Sequence, residues 1–164
     1  MNGTAAIQSA LGSTKVMLTG YLGDLSDADL LVRPAPSANH IAWQLGHLIF
    51  AEPYLVKQGL PDAPYPDLPA SFPETYGSKG ANKDGPDGFL TKAEYLSLFD
   101  KVRSATIAAV SKLSDADLDR PTVGSMAPHA PTVGELLLLV CNHTLMHGGQ
   151  FTAVRRKLGK PVLF

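Results

Sequence analysis

His143 and His147 stand four residues apart in the apolar stretch LLLLVCNHTLMHGGQF. On a helix, their Cβ atoms would lie about 5–6 Å apart, so both imidazoles can reach one ion. A third histidine, His47, falls on the inward stripe of another predicted helix, with His40, Trp43, Phe50, Ala51 and Tyr54. Helical bundles build metal sites in this way, from side chains on facing helices. Three neutral imidazoles suit Zn²⁺, Ni²⁺ or Fe²⁺, leave the ion's charge unneutralised and keep a coordination position open. Such an ion lowers the pKa of bound water towards ~7 and deprotonates a coordinating thiol. The competing reading is a set of hydrogen-bonded core histidines, since a histidine pair at this spacing also arises by chance. Three of the five histidines falling on inward faces favours the ion, because an unpartnered buried imidazole is costly.

Other residues are placed by the same geometry. Gln150 follows on the face of His143 and His147, and Gln150 and Asn142 are candidate donors that would orient imidazoles. Trp43 and Tyr54 read as core, with the Tyr54 hydroxyl able to face a cavity. His40 lies two turns before His47, about 10 Å along the axis; it cannot share the ion and reads as a capping or surface residue. His129, between Pro128 and Pro131, reads as a loop residue near a cleft mouth. Cys141 points away from His143 and reads as core.

Four long helices must carry these groups. The first runs over about 4–22, with Ile7, Leu11, Leu18 and Leu22 as its stripe. The second spans about 39–58 and contains Pro53, which should kink it. The third spans about 91–113, opened by the Thr91–Glu94 capping box, with Tyr95, Phe99, Val102, Thr106, Ala109 and Leu113 inward. The fourth spans about 132–158, opened by Thr132–Glu135 and closed by Gly159 before Pro161. Because Leu136 to Cys141 is apolar on every side, this helix is expected to lack a wet face there. Residues 60–90 hold six of the thirteen prolines and four glycines, yet Tyr65, Phe72, Tyr76 and Phe89 punctuate them. Those aromatics predict an ordered loop pinned against the bundle.

The hexapeptide LSDADL occurs twice, at 25–30 and 113–118, followed by Arg33-Pro34 and Arg120-Pro121. The chain is thus a diverged duplication of helix, turn, Arg-Pro loop, helix. Two hairpins related by a two-fold axis would run up-down-down-up, with the second and fourth helices antiparallel. The second and third would then be parallel, so their connection must travel the bundle's length, roughly 30 Å for twenty residues. The long Pro/Gly-rich crossover becomes a requirement of an all-α four-helix bundle with this order.

Composition bounds the function. The 164 residues fit one domain. A net charge of −1 offers no footprint for nucleic acid, which requires concentrated basic surface. One cysteine excludes an intrachain disulfide framework and suits a reducing compartment. Met1 to Gly20 lacks the pattern of a signal peptide, and no apolar run approaches the ~20 residues of a membrane span. A cytoplasmic protein acting on a small molecule is expected.

The segments NHIAWQLGHLIFAE and NHTLMHGGQ resemble the DinB/YfiT-like family of four-helix-bundle metalloenzymes. Its pattern is a histidine on the second helix and HxxxH followed by RGQ on the last. The resemblance implies His47, His143 and His147 as metal ligands, and Gly148 stands where an arginine is common. It also implies a range of activities, including transfer of mycothiol, bacillithiol or glutathione to electrophiles and isomerisation of maleylpyruvate, and it implies homodimers. The expectation is therefore an enzyme whose ion activates a low-molecular-weight thiol, or water, for transfer to a small electrophile. The alternative is a binding or stress-response protein with a structural or vestigial metal.

Overall fold

The computed structural model describes residues 1–161 and Leu163. Six α-helices run in chain order: α1 (Gly3–Leu22), α2 (Asp27–Leu30), α3 (Ile41–Val56), α4 (Phe72–Tyr76), α5 (Lys92–Val110) and α6 (Val133–Lys157), with short 3₁₀ turns between. The four long helices match the expected spans to within three residues at each end. Both long-helix capping boxes form, Thr91 with Glu94 and Thr132 with Glu135. At the far end of α6, Gly159 takes φ +67°. That left-handed residue lets Gly159 N–H reach Arg156 O and Lys160 N–H reach Arg155 O, the paired bonds of a Schellman stop. Helix α3 continues through Pro53.

Each long helix packs on two others: α1 and α3 both lie between α5 and α6, so the members of each sequence hairpin sit diagonally. Directions follow from the contacts at the helix ends. The start of α1 meets Asp115 just beyond α5, and Lys92 at the start of α5 reaches Leu22 O at the end of α1, so these two are antiparallel. Arg155 near the end of α6 donates to Tyr21 O near the end of α1, so those two run parallel. Gln44 early in α3 meets His147 late in α6, whereas Gly59 beyond α3 lies against Val133 and Leu136 early in α6, so α3 and α6 are antiparallel. The order is up-down-down-up, as the duplication requires.

The repeated hexapeptide has a second structural role. Ser26–Asp29 and Ser114–Asp117 each close a capping box within their own copy. The aspartate between them caps the other hairpin: Asp27 Oδ1 accepts from Lys92 N–H at 2.6 Å, and Asp115 Oδ1 from Thr4 N–H at 3.0 Å. The backbone donors of Thr4 and Gly3 hold the Asp115 carboxyl below the usual carboxylate range. Each copy thereby satisfies the orphan N–H groups that begin the opposite hairpin.

The crossover between α3 and α5 is ordered against the bundle. Arg33 donates to Ala38 O, Ala81 O and Lys83 O at 2.9–3.0 Å and pairs with Asp84 at 2.5 Å. His40, fully buried, caps α3 through Nδ1, which accepts from Trp43 N–H, while its Nε2–H donates to Lys83 O. Phe72 and Tyr76 are buried in the core. One helix surface departs from expectation. Within the run Leu136 to Cys141, Leu138 is 47% exposed, because each helix of a four-membered ring keeps an outer side whatever its sequence; Leu145 and Met146 extend that side at 44% and 54%. Among the described residues, no helix is long and apolar enough to cross a membrane.

Candidate metal centre

His47, His143 and His147 converge where α3 and α6 cross, each offering a ring nitrogen within 4.8 Å of the others. Sterics at Gly46 help place them. A Cβ there would lie 2.1 Å from the Tyr76 ring, so glycine lets that ring lie directly against α3. Tyr76 O then stands 3.1 Å from His47 Nδ1. A carbonyl only accepts, so Nδ1 carries the proton and Nε2 of His47 is bare. Trp43 stacks on the face of this ring, at 4.8 Å between centroids and 10° between planes.

The same reasoning fixes His147 through a longer chain. Asn39 O accepts from Gln44 Nε2 at 2.8 Å, which turns the Gln44 amide oxygen towards His147. That oxygen accepts from His147 Nδ1–H at 2.9 Å, leaving Nε2 bare. His143 Nε2 sits 3.1 Å from His147 Nε2. Without an ion, His143 Nε2–H can donate to His147. With the proton on His143 Nδ1, two lone pairs face each other, and a shared cation resolves that repulsion. Two nitrogens bound to one ion at about 2.0–2.1 Å stand about 3 Å apart, so the pair is already at ligand spacing. Among the described residues, no hydrogen bond holds His143 Nδ1, so its tautomer is free to change.

Burial keeps these rings neutral, as ligation requires. It lowers the pKa of His47, and of His143 to about 4 and His147 to about 3, with the neighbouring histidines adding to the last two.

A cavity of about 620 Å³ runs from His47 and His143 along the seam between α3 and α6. Ala51 and Leu55 form one wall, Leu139 and Met146 the other, and Met126 closes the end. Asn142 and Tyr54 line this cavity together with His47 and His143, and both are exposed. Tyr54 is 59% exposed and its hydroxyl bonds Ser125 Oγ at 3.0 Å, so its expected core position is not realised. Gln150 is exposed, because a 100° step per residue places it about 60° from His147 towards solvent. Its expected part beside an imidazole is taken by Gln44. The signal for Gln44 was present in the sequence, since it lies three residues before His47 on the same helix. His40 stays outside the cluster in its capping role, His129 is exposed on its loop, and Cys141 is buried, where desolvation pushes its thiol pKa up.

A second buried polar cluster had no counterpart in the sequence reading. Arg103, fully buried on α5, donates to Glu52 on α3, with Nη2 to Oε2 at 2.8 Å. Its other donors reach Leu11 O and Thr14 on α1 and Thr144 on α6. Thr106 donates to Glu52 Oε1 at 2.6 Å and meets the Tyr65 hydroxyl of the crossover at 2.9 Å.

Comparison with known proteins agrees on the fold. The model of the DinB superfamily matches residues 10–151. A conserved protein from Enterococcus faecalis of known crystal structure superposes with a TM-score of 0.73 at 17% identity, covering 98% of this chain and 99% of that one. YfiT from Bacillus subtilis, described as a probable metal-dependent hydrolase with an unusual four-helix bundle topology, gives 0.70 at 16% identity, covering 96% and 89%. No curated protein matches the sequence. The chain belongs to the DinB superfamily.

Proposed function

We propose that this protein is a metal-dependent enzyme in which His47, His143 and His147 hold one divalent ion, Zn²⁺ or Ni²⁺ ahead of Fe²⁺. Its reaction is attack of water, or of a low-molecular-weight thiol, on a small electrophile in the cytoplasm. The observation that carries the reading is the pair of bare Nε2 atoms on His47 and His147, each enforced by an acceptor on its Nδ1. A purely structural histidine has no need to leave a lone pair aimed at two other imidazoles.

When bound, an ion in such a site supplies Lewis acidity and lowers the pKa of a water or thiol it holds. The chain supplies the remainder. Tyr76 O and Gln44 Oε1 hold two rings in one orientation and tautomer, and Trp43 braces His47. The apolar walls of the cavity keep solvent from the reacting groups, and Asn142 presents an amide from the lining. Neither ester and amide hydrolysis nor thiol transfer requires more than this, and YfiT's description favours the hydrolytic branch.

The test is metal content of protein purified without chelator or affinity tag, followed by loading with each ion. One ion per chain is expected, with turnover of activated esters or amides, or conjugation by one of several thiols. Protein that takes up no ion under any loading would reject the proposal. Hydrolysis without conjugation by any thiol would reject the thiol branch alone.

A further inference from the structure

The cavity beside the three histidines contains no charged side chain. Its walls come from a stripe on α3 at spacings of four and three, through Ala51 and Tyr54, and from a facing stripe on α6 through Leu139, Asn142 and Met146. The hollow at the end of the bundle is different, for it brings together Asp62, Lys112 and Arg120. The chain thus lines one concavity with charge and leaves the larger one without.

We propose that the cavity selects an uncharged substrate with an apolar portion, and disfavours carboxylate-bearing molecules. This rests on the reading of the histidines as a metal site, since only an ion there would add charge. That charge is taken up by the reacting group of the substrate, so an anionic tail extending towards Met126 finds no counter-charge. Removing a carboxylate from water into an apolar cleft without a partner is strongly unfavourable, and the low local dielectric offers little screening. An apolar tail gains from the same walls with each methylene it buries. Besides the histidines, the lining holds the Tyr54 hydroxyl, bonded to Ser125 Oγ, and the amide of Asn142. Among the described residues that amide has no hydrogen-bond partner, and it suits a neutral carbonyl or hydroxyl. Thiol cosubstrates that carry several carboxylates fit this cavity poorly, whereas small esters and amides of aliphatic acids fit it well.

Two probes of equal chain length separate the cases on zinc-loaded protein: hexanohydroxamic acid and adipic monohydroxamic acid, which differ by a terminal carboxylate. Trp43, the single tryptophan and stacked on His47, reports binding by its fluorescence. The neutral probe should bind about tenfold more tightly or better. Met146→Lys, at a position 54% exposed and so tolerant of lysine, should narrow the gap to about threefold by supplying a cation at the rim. Its zinc content should equal that of the parent. Equal affinity for the two probes, or an unchanged gap in M146K, would overturn the inference while zinc uptake leaves the metal site standing. Failure of the parent protein to take up zinc would overturn the functional reading itself, and the inference with it.

Discussion

The bundle buries two polar clusters side by side, joined through consecutive residues of α6, His143 and Thr144. In the first, every N–H of the Arg103 guanidinium has an acceptor, supplied by Glu52, Leu11 O, Thr14 and Thr144. In the second, His47 and His147 spend their Nδ1 hydrogen bonds on the far sides of the rings, and the near sides share the single contact between the Nε2 atoms of His143 and His147. A closed network needs nothing from outside and holds α1, α3, α5 and α6 in register. An open one leaves the Nε2 lone pair of His47 over, which on the proposed reading goes to an ion. Two groups of buried polar residues in one core can thus be assigned to structure and to chemistry by asking which lone pairs are left over.

The closed cluster should break hardest. Arg103→Met leaves the Glu52 carboxylate buried without its partner, a loss of about 3–5 kcal/mol. Urea unfolding should show it, and adding Glu52→Leu should recover much of the stability because the stranded charge is then gone. If Arg103→Met alone were as stable as the parent, the closed network would not be what locks the helices together.

The open cluster should behave in the opposite manner. His143→Ala removes a half-buried ring whose single hydrogen bond among the described residues is to His147 Nε2, so the metal-free protein should lose only about 0.5–1.5 kcal/mol. Its affinity for Zn²⁺ should fall by more than about a hundredfold, more than is lost on removing an outer-shell partner. Acid sharpens the distinction. The folded-state pKa values of His143 (about 4) and His147 (about 3) lie below that of an unfolded histidine, near 6.5. Below pH 6.5 the unfolded chain therefore binds more protons than the folded one. The stability that depends on these neutral rings is fully present above pH 6.5 and is lost as pH falls towards 4 and then 3. Metal-free protein should show that slope in melts across pH 7 to 4, and His143→Ala should flatten part of it.

Gln44→Leu comes next in size. It keeps the volume of a fully buried side chain but frees His147 to rotate or change tautomer. Zinc affinity should drop about 10–100-fold, measured by competition with a chelator of known strength. Loss of folding without loss of affinity would move Gln44 from the site to the core.

How much of this contrast the sequence could disclose depends on distance along the chain. His143 and His147 are neighbours on one helix, and capping boxes span three residues, so both were legible. The repeat gave the topology because Ser-Asp-Ala-Asp appears twice in matching surroundings, although the crossed caps of Asp27 and Asp115 emerge only in three dimensions. Glu52 and Arg103 are 51 positions apart and each sits singly in an apolar stripe, where a lone charge reads as the flank of a helix. Gln150 was misplaced because sharing a face with His143 does not specify which side of that face is wet. The exposed leucine at 138 shows the same limit: an all-apolar run announces burial, yet the packing of four helices decides where it ends.

The smallest expected effect bears on how far the closed cluster extends. Tyr65 comes from the crossover, and its hydroxyl meets Thr106 Oγ1 while Thr106 is bonded to Glu52. Burial, more than any charge nearby, raises the phenol's pKa, so the group is a neutral hydrogen-bond partner at any ordinary pH. Tyr65→Phe removes one neutral hydrogen bond at a half-buried site, for a loss of about 0.5–1.5 kcal/mol. Thr106 retains Glu52 Oε1 and Val102 O, so no buried charge is stranded. Zinc affinity should be unchanged, because the Arg103–Glu52 pair stands between this bond and the histidines. A Tyr65→Phe protein with intact stability but weakened zinc binding would mean that the two clusters communicate, and that the closed network tunes the open one as well as locking the bundle.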